Sequence, residues 1–166
     1  MTELNPTQKA FRNAMASMAA AVNVVTTNGK AGRCGITATA VCSITDTPPT
    51  VMVCINRKSE INAIIKENSS LCINILSADH LELAKHFAGM TGIKMSDRFM
   101  LHDWQEKLYN LPVLNDALAN LQGRIANVSE VGTHSLFFVE LEAINVRDDG
   151  DGLTYFNRAF HRVARQ

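Results

Sequence analysis

Three glycines stand three apart in the segment GKAGRCG, at Gly29, Gly32 and Gly35, and a run of small and hydroxyl residues follows them. Glycines after an apolar run often cradle a phosphate, so this spacing is the first chemical signal. It fits neither common pattern. A dinucleotide fingerprint reads G-x-G-x-x-G between a strand and a helix, whereas this reads G-x-x-G-x-x-G and leads into threonines. No G-K-[ST] closes it, so it is not a P-loop. Gly29 and Gly32 read as turn residues, and Gly35, inside a strand pattern, marks the close approach of another body. The hydroxyls say more. Thr37, Thr39, Ser43 and nearby Ser59 are uncharged donors suited to a polyol or a phosphate. Arg57-Lys58-Ser59 sets a cation beside a helix start. Two readings stay open for these residues: a site for a phosphorylated polyol, or a solvated β face with an ordinary helix cap.

The elements that must carry these residues follow from periodicity. Phe11, Ala14, Met15, Met18 and Ala19 recur at helical spacing and predict a helix over Gln8–Ala21. Ala21–Thr27 is β-branched and ends at Asn28-Gly29, a hairpin signal. Cys34–Thr45 alternates with period two and predicts one strand, with a small apolar face and a hydroxyl face. Pro48 and Pro49 end it, and Thr50–Asn56 reads as a strand buried on both faces. Ser59 is placed to cap a helix over Glu60–Glu67, and Leu71–Leu76 is a further strand. Ser77 starts a helix that runs to Phe87 and stops at Gly89. Met90–Pro112 reads as irregular. Strands follow near Ala119–Val128 and Thr133–Val146, then the Asp148–Gly152 turn and a last strand at Leu153–Phe156. Local hairpins and few helices predict a mostly antiparallel β-barrel with peripheral helices, as a single domain over 1–166.

The 16 basic and 16 acidic residues balance to zero. Nucleic acid or an anionic membrane would call for a basic excess, so neither is an expected partner. A near-neutral chain also favours self-association. No apolar run reaches the ~20 residues of a membrane span, and the first residues lack the basic and apolar regions of a signal peptide, so a cytoplasmic protein is expected. Cys34, Cys42, Cys54 and Cys72 form no C-x-x-C pair and lie in apolar or small-residue runs. They read as buried reduced thiols, with no metal site expected.

Taken in order, RNAMASMAAAVNVVTT, GITATAVCSITDTPPTVMVCIN, LCINIL, HFAGMTG, the Arg98-Phe99 pair, VGTH and GLTYFNRAFH span nearly the whole chain. Together they resemble the short flavin reductase family, the reductase components of two-component flavin-dependent monooxygenases. HFAGMTG leans toward the reductases that serve 4-hydroxyphenylacetate 3-monooxygenase. TDTPPT and VGTH are shared with the flavin reductase of pyrimidine utilisation.

The resemblance implies a split β-barrel of the FMN-binding type, a homodimer with flavin in a groove near the dimer interface. It implies NADH as reductant, FAD or FMN as the flavin reduced, and hand-over of the reduced flavin to a separate oxygenase. By position, Thr26, Thr27, Thr37, Ala38 and Thr39 would lie along the isoalloxazine and ribityl chain. Cys54, Ile55, Asn56, Lys58 and Ser59 would face the ribityl and phosphate, with Ser43 of the hydroxyl row among the cofactor-binding residues. His134 would be the catalytic residue beside the ring, and Tyr155 and Arg158 would stand near the nicotinamide. Many relatives carry an aspartate before that histidine, where this chain has Thr133. The cofactors carry the hydride step, so the lack of a carboxylate pair or nucleophile–base set is no objection. A flavin that must leave is held exchangeably, in the micromolar range of roughly −8 kcal/mol. An FMN reductase of pyrimidine utilisation, a flavin-binding module without turnover and an oxidase with resident FMN are the alternatives.

Overall fold

The computed structural model describes residues 3–166. Its first helix, α1 (Pro6–Ala16), starts at an Asn5–Gln8 capping box and ends before the expected Ala21. Ala20–Ala21 instead forms a short strand, β1, paired to β11 (Gly152–Phe156), which itself pairs with β12 (Ala159–Val163). The apolar stripe of α1 had suggested a buried face, yet no residue of this helix is buried.

A seven-stranded sheet forms the body. It is built from β2 (Asn23–Thr27), β3 (Cys34–Ala38), β4 (Val41–Asp46), β5 (Pro49–Asn56), β6 (Ser70–Ile75), β9 (Ala119–Val131) and β10 (His134–Val146), in the order β3-β2-β6-β9-β10-β5-β4. The single strand expected over Cys34–Thr45 is thus two strands, broken at Thr39-Ala40, and they occupy opposite edges of the sheet. A flat sheet would hold those edges about 29 Å apart, six spacings of ~4.8 Å. Ala38 and Val41 are three Cα steps apart, at most about 11 Å. The sheet therefore curls until its edges approach, giving a mostly β barrel left open along one seam. Two register shifts in the long β9–β10 hairpin help it bend.

One core cluster fills the barrel with Val25, Val53, Ile55, Leu71, Ile73, Phe137 and Val139, closed below by Ile61 and Ile65 of α2 (Glu60–Asn68). A second gathers Val22, Val24, Leu76 and Leu153 under α3 (Leu81–Phe87) and Phe99 of α4 (Met95–Met100). β5 is not buried on both faces, because Val51, Val53 and Ile55 point inward while Met52 and Cys54 are half-buried on the other side. The stretch expected to be irregular holds α4 and a two-stranded ribbon of β7 (Trp104–Glu106) and β8 (Pro112–Leu114). Asn74, fully buried, fastens that ribbon. Its Oδ1 accepts from Leu114 N–H at 2.9 Å and Asn120 Nδ2 at 2.8 Å, and its Nδ2 donates to the Val24 carbonyl at 3.0 Å.

Candidate functional site

A groove of about 650 Å³ lies over the seam, walled by Thr39, Ala40, Ser43, Met52 and Cys54. Its floor is apolar, from Val51, Ile75 and Leu121. It runs on into a lobe of about 390 Å³ between α1 and β11, where Arg12, Met15 and Tyr155 line it and Met18, Ala20, Thr39 and Ala40 are shared. The Cys54 N–H donates to the Ala40 carbonyl at 3.0 Å, so the two sides of the seam are stitched at this point. From there β3 leads back to Gly35 and β5 leads on to Asn56. Between their far ends lies a third cavity, about 310 Å³, lined by Gly35, Ser59, Glu60, Gly89 and Arg98 among others. At ~3.3 Å per residue, Thr39 to Gly35 is about 13 Å.

The hydroxyls expected to form one row do different jobs. Thr26 and Thr27 are fully buried; their hydroxyls donate to the Pro112 carbonyl at 2.6 Å and the Ser70 carbonyl at 2.7 Å. That takes both out of any ligand site. Thr37 donates to the Ala84 carbonyl of α3 at 2.6 Å, which spends its hydroxyl too. Ala38 packs against the barrel core, and Ile55, at 2% exposure, offers only backbone. Thr39, Ser43 and Cys54 do face the groove. Burial first, and the nearby Cys42 thiol second, push the Cys54 thiol up, so it stays neutral at pH 7. The reading of four buried thiols fails at Cys42, which is exposed on the edge strand β4.

Asn56 Oδ1 accepts the Lys58 N–H at 2.9 Å and shapes the turn into α2. Ser59 stands where the helix cap was expected, but its side chain makes no cap bond. Its hydroxyl is thus uncommitted beside the α2 start and lines the third cavity. Lys58 is exposed next to it. Gly35 does mark a close approach, though of a protein ring. A Cβ there would lie 2.7 Å from the Phe87 side chain.

His134 opposes Asn56 at the end of the β5–β10 ladder, beside the α2 start rather than among the residues walling the groove. Its Nδ1 is 2.9 Å from the Thr133 hydroxyl, so Thr133 is its partner where relatives were expected to use aspartate. Glu130 fixes this corner. It accepts from Lys66 Nζ at 2.6 Å, Arg57 Nε at 3.0 Å and the buried Ser135 hydroxyl at 2.9 Å. The Lys66 and Ser135 hydrogen bonds, chiefly, hold its carboxyl below the usual range. Tyr155 lines the α1 lobe, with its ring edge-on to Phe160. Arg158 is exposed in the β11–β12 turn and donates to Asn13 of α1 at 2.9 Å, outside the walls of these cavities.

Sequence reasoning missed Arg98, Met95, Arg12 and Met52. The first two fall in the stretch expected to be irregular, where Met95 and Phe99 at i and i+4 were the available helix signal.

A family model described as a flavin reductase like domain matches residues 15–164. The 4-hydroxyphenylacetate 3-monooxygenase reductase component of Pseudomonas aeruginosa is 64% identical over 163 residues, 98% of this chain and 96% of that protein. The FMN reductase (NADH) RutF of Serratia proteamaculans is 42% identical over 156 residues, 94% of this chain and 88% of that protein. The solved structure of the flavin reductase PheA2 in its native state superposes with a TM-score of 0.85 at 32% identity, covering 98% of this chain and all of that one.

Proposed function

This chain belongs to the flavin reductase-like domain family, and on that premise we propose that it uses NADH to reduce diffusible FAD or FMN. The reduced flavin goes to a separate monooxygenase of the 4-hydroxyphenylacetate 3-hydroxylase kind. The observation that carries this reading is the groove over the seam, joined by two parallel runs of chain to a cavity at the start of α2. Its apolar floor and uncharged rim suit a flat ring system, and about 13 Å suits a ribityl chain ending in a phosphate at Ser59 and Lys58.

NADH supplies the hydride and the flavin ring accepts it. The chain's own residues hold the geometry. Thr39 and Ser43 present hydroxyls at the ring edge, and the backbone of Ala38, Ile55 and Asn56 lines the path. The Cys54 thiol keeps that wall uncharged. Tyr155 closes the α1 lobe, where the nicotinamide approaches, and Arg158 holds β12's turn to α1 beside it. His134, oriented by Thr133, is assigned to stabilising charge on the bound reactants.

The protein acts as one flavin reductase-like unit, in the cytoplasm, as a homodimer. Support for the dimer comes from α1, which buries nothing and leaves Phe11 62%, Met15 43% and Met18 60% exposed beside the groove. No helix among the described residues is long and apolar enough to cross a membrane.

The test is NADH oxidation in air with FAD, FMN or no flavin added. Saturable turnover only with added flavin supports a diffusible-flavin reductase. Tight flavin binding with negligible turnover would leave a flavin-binding module instead. The RutF relatives keep a second reading in play, an FMN reductase of pyrimidine utilisation, for which FMN would saturate well below FAD.

A further inference from the structure

The cavity at the α2 start does not end there. Met95 also lines a neighbouring cleft of about 410 Å³, whose other walls are Phe99, Met100, Ser96 and Arg33. Arg98 faces the inner cavity and Phe99, next to it on α4, faces the outer one. The two form one channel along α4. We propose that the outer cleft holds the adenylate half of FAD, so that Arg33 and Met100 set the preference for FAD over FMN; this rests on the flavin reading above.

The chemistry along the channel changes in the order that FAD would require. The ring end is the seam groove. The α2 start, with the free Ser59 hydroxyl, suits the phosphate shared by both flavins. Arg98 stands beside it. Its Nε donates to the Ile93 carbonyl at 2.8 Å, and its two terminal nitrogens make no hydrogen bond among the described residues. Glu60 lines the same cavity, and the Arg98 charge offsets that carboxylate. Farther out, the Arg33 guanidinium lies 5.5 Å from the Phe99 ring centre and pairs with Glu106 on β7, which holds it at the cleft rather than free in solvent. It is placed for a second phosphate. The remaining walls are thioethers and a ring, with Met100 82% exposed at the rim. Such surfaces suit the face of a purine. FMN stops at the first phosphate and never reaches this part.

Titrating FAD and FMN against the full chain and three variants tests the assignment. Arg33→Ala and Met100→Asp each raise the Kd for FAD about tenfold and move that for FMN less than about twofold. Arg98→Ala weakens both flavins. Met100 is exposed, so Met100→Asp guards against a folding artefact at Arg33, and urea melts of all variants check it. Equal loss of FAD and FMN in Arg33→Ala and Met100→Asp overturns the proposal, as does no loss of either. A raised KM for NADH with an unmoved FAD-to-FMN ratio assigns the cleft to the nicotinamide dinucleotide and overturns it too. Failure of the unsubstituted chain to bind either flavin is a separate outcome, and it sinks the flavin reading itself.

Discussion

Two sets of hydroxyl side chains look alike in this sequence and live differently in the fold. Thr26 and Thr27 sit inside the barrel, each donating to a main-chain carbonyl and each accepting from an asparagine, Asn74 for the first and Asn68 for the second. Thr39 and Ser43 face the groove from the open seam. The difference lies in what is left over. A buried polar group whose bonds are all made fastens the fold and has nothing to offer a ligand. A hydroxyl at the seam keeps its donor for whatever enters.

The contrast breaks most visibly at Asn74. Asn74→Ala strands the Leu114 N–H and the Asn120 amide in a dry interior, and we expect a loss of about 3 kcal/mol in urea unfolding. Flavin affinity of the molecules that remain folded should be unchanged. A loss under 1 kcal/mol (about one hydrogen bond's net worth) would mean water takes over its bonds. Gly35→Ala comes next, at about 2 kcal/mol, because the new methyl meets the Phe87 ring. Phe87→Leu in the same chain should recover part of that, and strict additivity in the double mutant would remove the ring as the cause.

Thr26→Val and Thr39→Val sharpen the comparison directly. The first should cost about 1.5 kcal/mol of stability and leave the Kd for flavin alone. The second should leave the melting curve in place and raise that Kd several-fold, on the order of one lost hydrogen bond. Reversed results would exchange the two roles. Thiol labelling draws the same line more gently. Cys42 should react in the folded protein, and Cys54 should lag until the pH passes the ordinary thiol range, because a raised pKa leaves less thiolate at any given pH. Cys34 and Cys72 should stay silent until unfolding.

The smallest effect concerns Glu130. A carboxyl held below its usual range stabilises above its unfolded value, and that contribution fades as pH falls through the folded one. Exchange of the Arg57 amide, bonded to Thr133 at 2.9 Å, should quicken on acidification. In Glu130→Gln it should already be fast at neutral pH.

Much of this could be read from the chain alone. The Asn28-Gly29 hairpin, the alternation of β5 and the start of α2 at Ser59 are local signals, and the strands fall where they point. What could not be read is where each strand goes. Cys34–Asp46 has one unbroken alternation, and nothing within it says that its halves part to opposite edges. Only the pairing of β2, β6, β9, β10 and β5 decides that. The site suffered for the same reason. Thr26 and Thr39 carry the same side chain, and their fates depend on the β7–β8 ribbon that covers one and not the other. Arg98 stayed hidden because α4 is a single short helix, stabilised by packing Phe99 against Phe87 and Trp104 rather than by a strong pattern of its own.

The junction at Thr39-Ala40 has a kinetic side. β2–β3 and β4–β5 are local hairpins, and the chain joins them through two residues. Yet the strands that settle their places, β6, β9 and β10, come from residues 70–146. Neighbours in sequence therefore wait for distant partners, and contacts of long separation form slowly. The groove lies on that junction, so it is completed when the last of those partners docks. In refolding, flavin capture should trail the return of strand structure and report the closing of the barrel.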